Sequence, residues 1–249
     1  MASRTLKLTI AYDGTDLVGW QRQPTGISVQ GLLEQALAAF EGGPVTVHGA
    51  GRTDAGVHAL AQVASASLTA THDPQAILRG VNAVLPPAVR VTAIEEAPPG
   101  FHARFAATGK IYEYRLVNAP FVSPFLARYA WHVPQRIDRG AMREAGLAVT
   151  GRHDFAAFQG TGSGVDETVR TLASLEWRED EAADGPLVIT LSADGFLRHM
   201  VRNIVGTLVD VGMRRWPPEA MAGILASGDR SRAGRTAPPH GLFLVAVRY

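Results

Sequence analysis

Apolar and polar positions along the chain follow two periods, and the switches between them mark out the elements. Residues 5–12 are apolar and rich in β-formers, which predicts a strand. Ser28 then stands where a helix N-cap belongs, and Val29, Leu32, Leu33, Ala36, Leu37 and Phe40 recur at the spacing of one helical face. Strands are predicted at 45–50 and 61–68. A second helix follows Asp73-Pro74, with Ile77, Leu78, Val81 and Leu85 as its apolar stripe. A strand at 89–97 runs into the breaker Pro98-Pro99-Gly100. The order is βαββαβ. The second half repeats it, with a strand at 111–118, a helix at 138–150, strands at 168–178 and 187–193, and a strongly apolar helix at 196–211. A shorter helix follows Pro217-Pro218, and a strand at 242–249 closes the chain. Two matching halves predict an α+β protein of two pseudo-repeated ferredoxin-like lobes, 1–104 and 105–249, each with an antiparallel sheet.

Composition removes several chemistries. With 46% hydrophobic and 19% charged residues the chain is suited to a packed core. It has no cysteine, which excludes disulfides, thiol nucleophiles and thiolate metal sites. The eight histidines form no ligand spacing such as His-x-x-x-His, so no metal is expected. Gly109-Lys110 has Arg104 in place of the first glycine of a phosphate-binding loop and Ile111 in place of its hydroxyl residue. The run Gly160-Thr161-Gly162-Ser163-Gly164 lacks the third glycine of a dinucleotide fingerprint, and Thr161 breaks any nucleophile elbow around Ser163, so it reads as a mobile polar loop and no nucleotide cofactor is expected. No apolar run approaches the ~20 residues that span a bilayer, and the first seven residues lack the apolar stretch of a secretory signal, which makes a cytoplasmic address the default. The net charge of +1 says little, but lysine occurs only at Lys7 and Lys110, leaving 22 arginines. Arginine grips phosphates through a planar fork and stacks on rings, as lysine does poorly.

One segment concentrates chemistry: Gly49-Ala50-Gly51-Arg52-Thr53-Asp54-Ala55-Gly56-Val57-His58-Ala59, between two predicted strands of the first lobe. Its glycines permit a tight turn and close approach of a bulky ligand, and among them sit an arginine, a hydroxyl, a carboxylate and a histidine. By its residue types alone this could be a hairpin loop in which Asp54 caps a turn.

The segment resembles the catalytic loop of the TruA family of tRNA pseudouridine synthases, Gly-Arg-Thr-Asp-x-Gly-Val-His-Ala, without a break from Gly51 through Ala59. The resemblance extends over nearly the whole chain, in order. Tyr12-Asp13-Gly14-Thr15 and Gly19-Trp20-Gln21 are similar to the first motif, with Leu17 where a phenylalanine is usual, and Ser28-Val29-Gln30-Gly31 opens the first helix. Phe101-His102-Ala103-Arg104-Phe105 and Lys110-x-Tyr112-x-Tyr114 mark the domain junction. His153-Asp154-Phe155, Val169-Arg170-Thr171, Gly195-Phe196-Leu197, Met200-Val201-Arg202-Asn203-Ile204-Val205-Gly206 and Pro238-Pro239-His240-Gly241-Leu242 follow.

The resemblance implies isomerisation of uridine to pseudouridine in the anticodon arm of tRNA, at positions 38 to 40, by a cytoplasmic homodimer without cofactor or metal. It implies two lobes flanking a central RNA-binding cleft, with the target base flipped out of its stack. Asp54 matches the nucleophile, a carboxylate able to form a covalent intermediate as in glycosidases. Arg202 matches its basic partner. The apolar flanks Met200, Val201, Ile204 and Val205 predict a largely buried helix, where an unpaired guanidinium is costly; pairing with Asp210 or a phosphate is the alternative. Tyr112 matches the active-site tyrosine, suited to stacking on the base and to proton transfer at C5. Alternation places Tyr114 on the same strand face, so the resemblance singles out Tyr112. Arg52 is a candidate to fill the gap left by the flipped nucleotide or to hold a phosphate, and His58 to orient the loop. Arg104 and Lys110 are substrate-binding candidates, with Arg22, Arg79, Arg170 and Arg198 as further phosphate contacts.

Two other readings have their own signatures. A non-catalytic RNA-binding protein of two RRM-like lobes needs an aromatic platform string that does not occur, and aromatics are only 7% of the chain. A two-carboxylate hydrolase would pair Asp54 with Asp13, Glu95 or Asp194 and release free base or sugar.

Overall fold

The computed structural model describes residues 3–162, 165–179 and 185–249, so Ser163 and Gly164 of the glycine-rich run lie outside the described residues. The fold is α+β. It divides into two compact units, Met1–Thr108 with Phe243–Tyr249, and Gly109–Leu242.

In the first unit, strand β1 (Arg4–Tyr12) buries Leu6, Leu8, Ile10 and Tyr12 in strict alternation, the period expected of a sheet with one face in the core. Helix α1 (Val29–Glu41) starts where the Ser28 hydroxyl accepts the Gly31 N–H at 3.2 Å. It ends at Gly42, whose left-handed backbone lets its N–H close onto the Ala38 carbonyl. Strands β2 (Val47–Gly49) and β3 (His58–Leu68) pair antiparallel, so the Asp54 segment bridges two hydrogen-bonded strands. Helix α2 (Pro74–Val84) has Asp73 as its side-chain cap and buries Ile77 and Val81, and β4 (Val89–Glu96) lies antiparallel to β1. The predicted βαββαβ order of this half is present. Each leucine or isoleucine side chain removed from water here contributes about 1.5–3 kcal/mol.

The last strand, β10 (Leu242–Arg248), runs parallel to β3, with Phe243 opposite His58 and Leu244 opposite Ala59. The sequence pattern assigns it to the second lobe; its contacts group it with the first unit. It also makes that sheet mixed rather than antiparallel.

The second unit carries β5 (Gly109–Val117), β6 (Trp131–His132), α3 (Arg139–Leu147), β7 (Gly151–Asp154), β8 (Val169–Glu179), β9 (Leu187–Ala193), α4 (Met200–Gly212) and α5 (Ala220–Ser227). Strands β5, β9, β8 and β7 pair antiparallel in that order, while β6 pairs parallel with β5, so this sheet is mixed as well. The apolar run at 196–211 becomes helical only at Met200. His199 adopts a left-handed conformation (φ 59°), which no helix can pass through; residues 195–197 are irregular and a turn closes where the Met200 N–H donates to the Leu197 carbonyl at 3.1 Å. Twelve of the thirteen residues of α4 are buried; the exception is Arg202. Among the described residues, no helix is long and apolar enough to cross a membrane.

Candidate active site

The Asp54 segment rests on a buried polar cluster. The Tyr12 hydroxyl, at the end of β1, lies 2.8 Å from Thr53 Oγ1, and Gln62 of β3 donates to the Gly51 carbonyl at 3.0 Å and reaches Tyr12 at 3.5 Å. Tyr12, Thr53 and Gln62 are all buried. Burial pushes the Tyr12 hydroxyl up to about 12 even though Thr53 and Gln62 oppose the rise, so it stays a neutral hydrogen-bonding group. The Thr53 carbonyl accepts the Trp20 N–H at 3.0 Å. Thr53 is thus fixed on its side chain and its backbone, directly before the carboxylate.

Asp54 itself is half-buried and opens a turn, its carbonyl accepting the Val57 N–H at 3.1 Å. Gly56 is the third residue of that turn and has φ 77°, the conformation a type II turn demands there and that side chains resist. Gly19 (φ 99°) packs against the other side: a methyl group on it would sit 2.6 Å from the Thr53 carbonyl oxygen. His58 closes the segment. Its Nδ1 lies 3.1 Å from both the Gly14 N–H and Asp13 Oδ1, and its ring stacks on Phe243 at 4.6 Å. One nitrogen cannot accept from Gly14 and donate to Asp13 at once, so either tautomer ties the loop to the 12–15 turn. At 1% exposure, His58 is buried beneath the loop.

In the second unit, α4 is fixed by polar side chains inserted among its apolar ones. Asn203 donates to the Phe158 carbonyl at 2.8 Å and accepts from Thr236 and Arg230. Thr207 accepts the Gly234 N–H at 2.9 Å, and Asp210 holds the side chains of Arg215 and Arg235 at 2.9 Å. This stripe pins residues 230–237 along the helix. Arg202 uses that segment: its Nε donates to the Ala237 carbonyl at 2.8 Å, while the Ala237 N–H returns a bond to the Arg202 carbonyl at 3.0 Å. The positive charge of Arg202 also acts on its neighbours. Tyr114 is raised well above the usual tyrosine range by burial, with Arg202 opposing, and His240 is lowered first by burial and further by Arg202. The alternative partner Asp210 is engaged by two other arginines.

Tyr112 lies on β5 with its side chain buried against Phe196, the rings meeting edge to face at 5.1 Å. Tyr114 shares its face, as alternation requires, and donates to the Pro238 carbonyl at 2.8 Å. Arg52 and Arg104 are exposed in the first unit; Lys110 is half-exposed on β5 in the second. Arg22 pairs with Glu34 at 3.3 Å, and Arg198 donates to the Thr161 carbonyl at 2.8 Å. The carboxylates a hydrolase would recruit have structural tasks. Asp13 caps Thr15, Glu95 pairs with Lys7 at 2.8 Å, and Asp194 accepts the Thr171 N–H.

Sequence reasoning passed over Tyr12, Thr53 and Gln62 as a unit. The available signal was a polar tip at the last inward position of β1 and an amide at the buried position 62 of β3.

A half-buried carboxylate thus stands on a turn held rigid from beneath. The family model described as tRNA pseudouridine synthase matches residues 8–106 and 147–249, and this chain belongs to that family. Relatives named tRNA pseudouridine synthase A match it nearly end to end. That of Syntrophotalea carbinolica is 45% identical over 245 residues, covering 98% of this chain and 96% of the relative. That of Geobacter sulfurreducens is 43% identical over 246 residues, covering 99% and 100%. That of Roseiflexus sp. is 46% identical over 247 residues, covering 99% and 91%.

Proposed function

We propose that this chain isomerises uridine to pseudouridine in the anticodon arm of tRNA, at positions 38, 39 and 40, with Asp54 as the nucleophile. The observation that carries the reading is the unbroken Gly51-to-Ala59 segment, seated on the Tyr12–Thr53–Gln62 cluster with Asp54 left half-exposed above it. The reaction breaks the N1–C1′ bond of a flipped-out uridine, rotates the base and forms a C5–C1′ bond. The C5 hydrogen leaves to solvent and N1 gains a proton, so atoms balance without oxidant, nucleotide or metal. A carboxylate serves either by adding to C1′ or by drawing a proton from the sugar along a glycal route.

Arg202 is the cation that favours the ionised form of Asp54; its fork is already oriented by Ala237. Tyr112 supplies a ring face for the base and a hydroxyl for proton transfer at C5. Arg52 takes the place of the flipped nucleotide, His58 orients the loop, and Arg104 and Lys110 contact phosphates. The two units are ferredoxin-like lobes, and the working form is a cytoplasmic homodimer.

Treating reacted tRNA with a carbodiimide that marks pseudouridine, followed by primer extension, tests the assignment of position. Stops one nucleotide before 38, 39 and 40 support it. Stops elsewhere in the tRNA, with none in the anticodon arm, would reject it.

A further inference from the structure

The surface of the first unit carries a stair of rings that the loop chemistry does not use. His48, the middle residue of β2, lies one residue before the Asp54 segment and faces His102, with ring centroids 4.8 Å apart and planes at 34°. His102 in turn faces Phe105 at 4.4 Å and 32°. Both pairs are tilted ring contacts. Phe105 ends the stair at 77% exposure, a large apolar ring presented to water. The Arg104 guanidinium lies 5.7 Å from its centroid.

The stair is held in place from below. The Ala103 N–H donates to Ser65 Oγ at 3.1 Å, its carbonyl accepts from the Tyr249 hydroxyl at 2.9 Å, and Ala103 is fully buried with Ala50 and Val63. Ser65 is also the residue opposite His48 in the β2–β3 ladder, so the first ring and the backbone next to the second share one anchor. His102 Nδ1 accepts the Arg104 N–H at 3.1 Å, which fixes the ring orientation. Burial, then the neighbouring His48 and Arg104, hold the His102 imidazole below its ordinary range, so the step is neutral at pH 7. A ring 77% exposed, backed by a second ring and with a guanidinium over it, offers the apolar surface and the cation with which proteins hold an unpaired base and its adjoining phosphate.

We infer that Phe105, backed by His102 and His48, is a stacking platform for an unpaired base of the tRNA substrate, outside the base that is isomerised. The inference rests on the tRNA reading given above. Another copy of this chain is the competing occupant, and the test separates the two.

The test uses the full chain with an unmodified tRNA transcript, reading Kd, KM, kcat, oligomeric state and thermal midpoint for wild type, Phe105→Ala and Phe105→Trp. Losing one stacked base raises Kd and KM by about fivefold or more, while Phe105→Trp restores both to within about twofold of wild type. Its indole fluorescence is quenched on adding tRNA. The salt slope of binding stays unchanged in Phe105→Ala but falls by about one in Arg104→Ala. Wild-type affinity and KM in a folded Phe105→Ala would overturn the platform, as would a shift of that variant from dimer to monomer. If wild type binds tRNA but forms no pseudouridine, the tRNA-isomerase reading fails while the Kd series still decides the platform. If wild type does not bind tRNA, both fall.

Discussion

Asp54 is a single carboxylate whose usefulness depends on what holds it. Removing the Tyr12 hydroxyl by Tyr12→Phe leaves Thr53 Oγ1 and Gln62 Nε2 short of a buried partner, which costs about 1–3 kcal/mol of stability. Because the loss falls beneath the loop, kcat declines more than tRNA affinity; a fall in affinity with kcat intact would contradict the clamp. Gly19→Ala puts a methyl against the Thr53 carbonyl at a backbone angle that L residues avoid, and it should depress kcat even more strongly. The loop was legible in the sequence because its residues are contiguous. The clamp was not, since Tyr12, Thr53 and Gln62 come from three separated positions and meet only once β1 and β3 pair. Arg202 was legible as a charge among apolar neighbours, but its acceptor, 35 residues on, was not.

Elements with a sustained period were legible and short ones were not. β1 shows four inward side chains in alternation, and α1 and α2 carry caps readable as Ser28 and Asp73. β6 and β7, two and four residues long, are too short to express a period. The start of α4 was misplaced because Phe196 and Leu197 are apolar, and apolarity does not reveal the left-handed His199. The parallel seating of β10 on β3 depends on a partner distant in sequence. α4 also carries a prediction of its own. Thr207→Val leaves the buried Gly234 N–H without an acceptor, costing about 1–3 kcal/mol, and loosens the segment that supplies Ala237 to Arg202; Thr207→Ser should spare both. Chemical denaturation of the two variants beside wild type reads the difference. His102 and His240 both have folded pKa values below the ordinary 6.5. The unfolded chain therefore binds protons first as pH falls, and stability drops from about pH 6.5 downward. Denaturant midpoints between pH 7.5 and 5 measure it, and replacing either histidine with glutamine should flatten the curve.

The family assignment applies to the molecule as a whole, since relatives match it over 98–99% of its length. A net charge of +1 gives no global field to attract RNA, so phosphate binding must come from local arginines. Affinity for tRNA should then fall steadily between about 50 and 200 mM salt, with a slope set by the few phosphates engaged. The most direct measurement is release of tritium from C5 of uridine in a tRNA transcript, with wild type and Asp54→Asn run side by side. Isomerisation must detach that hydrogen, so the account predicts release by wild type and none by Asp54→Asn while both bind the tRNA. Equal release by the two proteins would contradict the role of Asp54. Binding without release by wild type would leave an RNA-binding module in place of the enzyme.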